Sequence, residues 1–270
     1  MVDEAVRDYY ELGMEAERLA SGNGPLELAR SQELLLRYLP RPPAEVLDVG
    51  GGPGVYSSWL ASLGYQVRLV DPVPLHVAQA MLVAKTQPDR PFDAVIGDAL
   101  RLDEPDSRWD AILLMGPLYH LTERSERLAA LAEATRVVRP GGLVAAVAIS
   151  RFASMLDGLR LGALNSPAMA AIVERDLRDG QHRNPSQEAH PNWFTTAFFH
   201  HPDELAAEVR ESGLDLEAVL AIEGPGWLFE DQWADLKQRE GILRSIRAVE
   251  REPTLLGQSA HLLAVAHRPS

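Results

Sequence analysis

Four glycines directly after a short apolar run constrain the fold of this 270-residue chain more than any other feature. The run at residues 45–49 is typical of a buried β-strand, and a helical pattern begins at Val55. Between them lie the four glycines: Gly50, Gly51, Gly52 and Gly54. Because glycine has no Cβ, the backbone here can turn tightly and approach a ligand closely. The pattern predicts a strand, a ligand-binding loop and a helix in succession.

Short apolar runs alternate with helical patterns along most of the chain. The predicted strands cover residues 45–49, 66–70, 93–96, 110–115, 143–149, 214–223 and 261–267. Helical periodicity fills most of the intervals between them. Such alternation is typical of a parallel sheet that carries helices on both faces. The sequence therefore predicts an α/β fold with a doubly wound, mostly parallel, seven-stranded Rossmann-like sheet.

The chain is predicted to form one domain with four parts. Residues 1–43 would form an N-terminal helical cap, residues 44–150 the cofactor-binding core, and residues 202–270 the C-terminal part of the sheet. Residues 151–201 interrupt the alternation with helical pieces and a polar, proline-containing stretch. Because an insertion of this size after a central strand often covers a site, we interpret it as a helical lid.

Two aspartates follow the second and third predicted strands. Asp71 stands where it could accept hydrogen bonds from both hydroxyls of a ribose, and Asp98 where it could reach the edge of an adenine. Ligands of open α/β sheets bind at the carboxyl ends of the strands. The glycine loop and the two aspartates are therefore expected to surround one nucleoside.

The spacing of the glycines distinguishes two kinds of cofactor. A dinucleotide-binding loop has the pattern G-x-G-x-x-G, and counting from Gly50 and Gly52 places Val55 at the third glycine position. The chain also lacks a Tyr-x-x-x-Lys pair, because Met81 and Trp233 stand four residues before its two lysines. An NAD(P)-dependent oxidoreductase is thus the less favoured alternative.

The motifs together resemble those of class I S-adenosylmethionine-dependent methyltransferases. They are Asp48-x-Gly-x-Gly-x-Gly54 after the first strand, Asp71 after the second, Gly97-Asp-Ala after the third and Arg139-Pro-Gly-Gly before the fifth. The resemblance extends over about residues 45–150 and is strongest to the small-molecule branch, which includes the quinone-type enzymes. It implies S-adenosylmethionine as cofactor and transfer of its methyl group to a small-molecule metabolite.

The resemblance also implies a set of cofactor-binding residues in the glycine loop and after the next three strands. They are Asp48, Gly50, Gly51, Gly52, Gly54, Asp71, Pro72, Asp98, Ala99, Met115 and Gly116. Asp48 and Gly50 would lie near the methionine amino group, and Asp71 would bind the ribose. Asp98 and Ala99 would meet the adenine, while Met115 and Gly116 would face the sulfonium. An N-terminal helix closes over the cofactor in many members, and Tyr10 is assigned to that role here, with Tyr9 and Arg18 as alternatives.

His120 is the candidate general base for methyl transfer. Positioning and desolvation supply much of the rate of such a reaction, and a base helps when the nucleophile carries a proton. His120 and its neighbour Tyr119 follow the fourth predicted strand, at the edge of the sheet where ligands bind. The alternative for both residues is a structural role in packing.

Histidines and aromatic residues cluster in and beside the predicted lid. They are His182, His190, Trp193, Phe194, Phe198, Phe199, His200 and His201. They could form a pocket for a flat or cationic substrate, walled also by Trp227, or they could pack the lid on the sheet. Glu188 with the histidines could ligate a metal, but no spacing such as H-E-x-x-H occurs, so no metal is predicted.

Composition restricts the partners and the chemistry. The chain has 26 basic and 39 acidic side chains, a net charge of −13, which disfavours nucleic acid and anionic membranes as partners. It has no cysteine, which excludes thiol nucleophiles and disulfides. Residues 1–4 are acidic rather than part of a signal peptide, so we expect a cytoplasmic enzyme with a small-molecule substrate. A non-catalytic S-adenosylmethionine-binding regulatory protein is the other alternative.

Overall fold

The computed structural model describes residues 9–10, 13, 15–185, 193–233 and 235–270. The predicted alternation of strands and helices is present in these ranges. The strands are β1 (Glu45–Val49), β2 (Gln66–Asp71), β3 (Asp93–Ile96), β4 (Trp109–Leu114), β5 (Val138–Ser150), β6 (Gln181–His182), β7 (Ala197–His200), β8 (Asp215–Ala221) and β9 (His261–His267). The prediction of an α/β fold with a doubly wound sheet is confirmed.

The sheet is mostly parallel, and among its described strands β9 and the short β6 run in the opposite direction. Its order over the described residues is β3–β2–β1–β4–β5–β9–β8, and β9 runs antiparallel to both of its neighbours. The short strand β7 adds to the end of β5, where Ile149 pairs with Phe199, and β6 pairs with β7. Since β8 runs parallel to β5, the residues after β8 and the first residue of β9 lie at the carboxyl edge of the sheet.

Helices cover both faces of the sheet. They are α1 (Glu15–Arg18), α2 (Gly24–Tyr38), α3 (Val55–Ser62), α4 (Pro74–Lys85), α5 (Pro117–His120), α6 (Arg124–Val137), α7 (Ala153–Arg160), α8 (Pro167–Asp179), α9 (Pro202–Glu211), α10 (Glu230–Trp233) and α11 (Leu236–Val249). Alternate strand residues point to opposite faces. Accordingly, Val46 packs in one apolar cluster with α2, α3 and α4, while Leu47 packs in a second cluster with α6 and α9.

Residues 151–201 contribute more to the sheet than the sequence predicts. They supply α7 and α8, as expected, and also the strand pair β6–β7. Gly180 ends α8 with φ +75°, and the amide of Phe199 donates to its carbonyl oxygen at 2.7 Å. This reversal turns the aromatic run at 197–200 back along the end of β5.

A buried ion network joins α6, α9 and β7. Arg127 is 2% exposed, and its Nε and Nη2 donate to Glu208 at 2.9 and 2.8 Å. Its Nη1 donates to the carbonyl oxygens of Leu121 and Thr122, just before α6 begins at Arg124. The guanidinium carbon lies 3.6 Å from the ring centre of Phe198. Arg127 thereby fixes the segment that follows α5.

No helix among the described residues is long and apolar enough to cross a bilayer.

Candidate functional site

A pocket lies at the carboxyl edge of the sheet, above β1, β2 and β4. Together with the open solvent at its mouth, it encloses about 930 Å³ of empty space. Most of the predicted site residues line it: Tyr10, Gly50, Gly51, Gly52, Asp71, Pro72, Asp98, Ala99, Met115, Gly116, Tyr119 and His120. The topology therefore brings these residues together. We call this space the glycine-loop pocket.

The glycine loop has a backbone shape that few other residues adopt. Gly50, Gly52 and Gly54 have φ values of +69°, +55° and +91°. A Cβ on Gly50 would lie 2.7 Å from Cγ of Pro117, so the loop and the start of α5 approach each other closely. A Cβ on Gly52 would meet only Cγ of Glu15, at 3.8 Å. Gly52 thus leaves space that a ligand can occupy.

Asp71 holds the loop in this shape from the end of β2. Its Oδ2 accepts a hydrogen bond from the amide of Gly52 at 2.9 Å. Its Oδ1 accepts from the amide of Val73 at 2.9 Å and lies 3.1 Å from Nδ1 of His76. A carboxylate has lone pairs beyond these three contacts and can accept further hydrogen bonds. Sequence reasoning missed His76, which lies one helical turn into α4.

Asp48 and Gly54 lie behind the wall of the pocket. Asp48 is fully buried, and its Oδ2 accepts a hydrogen bond from Oγ of Ser57 at 2.7 Å. Burial raises the pKa of Asp48 to about 6, against the lowering effect of Ser57. A Cβ on Gly51 would lie 2.7 Å from this carboxylate, and one on Gly54 would lie 3.0 Å from Phe92. Both residues support the loop from beneath.

Asp98 lies in the turn that follows β3. Its Oδ1 accepts a hydrogen bond from the amide of Leu100 at 3.0 Å, which fixes the turn and holds Ala99 at the pocket wall. The side chain stays at the pocket surface, in contrast to Asp71, which is 3% exposed.

Tyr10 closes one side of the glycine-loop pocket. Its Oη lies 2.6 Å from Nε2 of His120, and its ring packs edge-on against the rings of His76 and His120. Burial lowers the pKa of His120 to about 4, so the imidazole is neutral near pH 7. Burial also raises the pKa of Tyr10 well above its usual value. The pair is therefore an uncharged hydrogen bond.

A second cavity adjoins the first and shares Tyr10, Arg18 and Tyr119 with it. Five of the aromatic and histidine side chains singled out in the sequence line it: His182, Trp193, Phe194, Phe199 and Trp227. We call this space the aromatic chamber. Its polar lining includes Glu27, Glu223 and His261, which sequence reasoning missed. Glu223 ends one predicted strand and His261 begins another, and this position was the available signal.

Other members of the predicted aromatic cluster have structural positions. Phe198 stacks on Arg127, and Nε2 of His200 lies 3.2 Å from Glu208. His201 precedes α9, where its amide donates to Glu204 at 2.8 Å. Glu188 and His190 lie outside the described residues.

Glu27, Glu223 and His261 place three potential metal-ligand atoms within 4.8 Å of one another. Arg18 already binds Glu27 through two hydrogen bonds of 2.7 and 3.1 Å. Nδ1 of His261 lies 2.6 Å from Glu223. The charges of the two carboxylates are thus balanced by side chains of the protein itself.

Replacing Gly52 with alanine tests the loop directly. We expect Gly52→Ala to weaken S-adenosylhomocysteine binding by about 1–3 kcal/mol, the usual cost of forcing extra atoms into an occupied space. Gly141→Ala is the matched control, because Gly141 has φ +73° and no atom within 4 Å of an added Cβ. Both variants should lose about 1–2 kcal/mol of stability through the left-handed backbone. Calorimetric titration that shows equal affinities for the two variants would place Gly52 outside the ligand site.

Comparison with known proteins agrees with this geometry. Residues 46–142 match the model of a methyltransferase domain family. A ubiquinone biosynthesis O-methyltransferase of Burkholderia pseudomallei is 28% identical over 182 residues, which cover 67% of this chain and 68% of that protein.

Two solved structures share the fold. The PH0226 protein of Pyrococcus horikoshii superposes with a TM-score of 0.65 at 16% identity, over 97% of this chain and 98% of that one. Phosphoethanolamine N-methyltransferase 2 of Haemonchus contortus, solved with phosphomonomethylethanolamine and S-adenosylhomocysteine, has a TM-score of 0.61 at 16% identity. That superposition covers 99% of this chain and 61% of that one. Together with the motifs around the glycine loop, the family match and the Burkholderia relative support a class I methyltransferase that uses S-adenosylmethionine as methyl donor, and the solved structures share its fold.

Proposed function

We propose that this methyltransferase modifies a small-molecule metabolite, with the methyl donor in the glycine-loop pocket and the acceptor in the aromatic chamber. The observation that carries the proposal is that the two cavities adjoin and share Tyr10, Arg18 and Tyr119. The Burkholderia relative, a ubiquinone biosynthesis O-methyltransferase, is consistent with a small acceptor. The net charge of −13 disfavours a polyanionic one.

The residues of the glycine-loop pocket fit the parts of the methyl donor. We assign the ribose to Asp71, the adenine to Asp98 and Ala99, and the methionine end to the loop above Asp48. Met115 and Gly116, after β4, would face the sulfonium. The bound donor supplies an activated methyl group, so the protein mainly has to orient the two reactants and exclude water.

His120 is proposed as the proton acceptor from the substrate. Its neutral imidazole is available near pH 7, but Nε2 must first exchange Tyr10 for the substrate. We expect His120→Gln to lower kcat by a factor of about 10²–10⁴, the usual contribution of a general base, with little change in affinity for S-adenosylhomocysteine. Tyr10→Phe is the companion variant, which frees Nε2 and should preserve kcat. Equal losses of kcat and cofactor affinity in His120→Gln would instead indicate a structural role.

Two measurements test the proposal as a whole. Calorimetric titration with S-adenosylhomocysteine should show binding, and NAD should not compete. Incubation with methyl-labelled S-adenosylmethionine and a fractionated cell extract should then label a compound in the small-molecule fraction. Label found only in protein or nucleic acid would overturn the assignment of a small acceptor. Binding without transfer to any fraction would favour the regulatory alternative.

A further inference from the structure

His261 and Glu223 form an ion pair at the wall of the aromatic chamber. Glu223 follows β8 and His261 begins the antiparallel β9, so the topology brings both to the carboxyl edge of the sheet. Nδ1 of His261 lies 2.6 Å from Oε1 of Glu223. The other oxygen of Glu223 accepts hydrogen bonds from Oγ of Ser259 at 2.9 Å and from the amide of His261 at 3.0 Å. These contacts fix Glu223, which in turn orients the imidazole ring of His261.

His261 carries a positive charge near neutral pH. Burial by itself would lower the pKa of His261, but the carboxylates of Glu27 and Glu223 outweigh this effect and raise the pKa to about 9. Arg18, the nearest cation, acts in the opposite direction. Protonated imidazole donates from both ring nitrogens. Glu223 accepts from Nδ1, whereas Nε2 has no acceptor among the described residues, although His261 lines the chamber.

Each carboxylate around this donor already has a cationic partner in the protein. Arg18 pairs with Glu27 at 2.7 Å and with Glu15 at 2.8 Å, and His261 pairs with Glu223 at 2.6 Å. Asp157 and Arg160, which also line the chamber, pair with each other at 2.9 Å. His182 is the remaining titratable histidine there and lies 2.9 Å from Asp176. An ammonium ligand would therefore have to displace Arg18 or the proton of His261, whereas an oxygen ligand completes the contacts of His261.

The other walls suit a flat ring. Phe194 packs edge-on against Tyr119, and Nε1 of Trp227 donates to the carbonyl oxygen of Gln258 at 2.7 Å, which fixes the indole. Aromatic walls bind planar rings through stacked and edge-to-face contacts. A ring held between them can present one oxygen to Nε2 of His261.

We propose that His261 anchors the acceptor of methyl transfer by donating from Nε2 to a carbonyl or carboxylate oxygen on a flat aromatic molecule. Glu223 and Glu27 act as positioning residues that orient the ring and keep it protonated. The inference rests on the proposed function, since it assigns the acceptor to the aromatic chamber. The expected acceptor is a planar molecule that carries such an oxygen, and an aromatic amine would not bind His261 in this way.

The test uses three small probes with the protein saturated with S-adenosylhomocysteine. Benzoate and benzamide carry the proposed oxygen, and benzylammonium carries a cation on the same ring. Titrations followed by NMR should show benzoate and benzamide binding at least about tenfold more tightly than benzylammonium, as expected for a charge-assisted hydrogen bond. Preferred binding of benzylammonium, or no binding of either oxygen probe at millimolar concentration, would overturn the proposal.

A matched pair of variants assigns the effect to one residue. His261→Gln should lower benzoate affinity about tenfold or more. His267→Gln should leave it unchanged, because His267 occupies the other end of β9 and pairs with the exposed Glu217. Undiminished benzoate binding in His261→Gln would refute the anchor. Intact binding of S-adenosylhomocysteine in both variants shows that the cofactor site, and with it the proposed function, stands independently.

The wild-type protein provides a readout that does not depend on a variant. If benzoate binds the protonated ring, its affinity should fall as the pH rises through about 9, the pKa of His261. By linkage, bound benzoate should raise that pKa further, which the ring nitrogen shifts of His261 would report. A benzoate affinity independent of pH over this range would contradict the proposal.

Discussion

Asp71→Ala is expected to weaken the binding of S-adenosylhomocysteine by about 3 kcal/mol, a factor of roughly 150. The variant removes the carboxylate that we assign to the ribose. It also releases the amides of Gly52 and Val73, which Asp71 now holds at 2.9 Å each. Without these hydrogen bonds the glycine loop would become ordered only when the ligand binds, and this ordering would reduce the binding free energy. Calorimetric titration measures the loss directly.

Asp110→Ala is the control for this prediction. Asp110 is a carboxylate of the same sheet, but it lies near the start of β4, where it accepts the amide of Glu45 at 2.8 Å and pairs with Arg139. The variant should lower stability with no effect on cofactor affinity. The affinity of Asp71→Asn for S-adenosylhomocysteine should lie between those of Asp71→Ala and Asp110→Ala, because the amide oxygen of asparagine can replace one of the two carboxylate oxygens as an acceptor. Matching affinities for Asp71→Ala and Asp110→Ala would remove Asp71 from the site.

Arg127→Met is expected to lower the free energy of unfolding by about 3–5 kcal/mol. The substitution leaves Glu208 as a buried carboxylate without its main counter-ion, and it frees the carbonyl oxygens of Leu121 and Thr122. Arg124→Met is a close control, since Arg124 lies on the same helix and pairs with the exposed Glu211 of the same partner helix. That change should lower stability far less, because solvent screens the pair of Arg124 and Glu211 and the contact of Arg124 with Glu208 is longer, at 3.8 Å. Similar urea midpoints for the two variants would contradict the assignment.

The same network should make the free energy of unfolding decrease at acidic pH. Burial would raise the pKa of Glu208, but hydrogen bonds from His200 and Arg127 lower it to about 2. A carboxyl with a lowered pKa in the folded state stabilises the protein above its unfolded pKa and loses that contribution as the pH falls. Stability from Glu208 should therefore be complete above about pH 4.5 and decline toward pH 2. Glu208→Gln should flatten this part of the curve.

The sequence predicts the sheet and the glycine loop well because both depend on local patterns. Each of the seven predicted strands is present. β1, β3 and β9 match at both ends, and the ends of the other four are shifted by up to five residues. The signals were runs of apolar residues and glycines that need left-handed backbone. Gly50, Gly52 and Gly54 all have positive φ. Apolar runs and glycines of this kind can be recognised within a few consecutive residues.

The polar wall of the aromatic chamber was not predictable in this way. Glu27 lies on α2, and it meets His261 only because α2 packs beside the start of β9, with 3.9 Å between Oε2 and Nδ1. No pattern in the sequence around Glu27 marks this contact. The charge of His261 likewise depends on Glu223 and on burial, both of which are tertiary effects. His120 shows the reverse case, since burial makes it neutral.

The position of β9 in the sheet also affects the order in which the two binding sites form during folding. β1, β2 and β4, which frame the glycine-loop pocket, are close in sequence and pair with one another. β9 lies between β5 and β8 in the sheet, although it follows β5 in the chain by more than a hundred residues. Strands that are far apart in sequence pair slowly. Because His261 is the first residue of β9, we expect a refolding chain to gain its hold on the methyl donor before its anchor for the acceptor. This topology thus predicts that binding of the donor recovers faster than binding of the acceptor when the protein refolds.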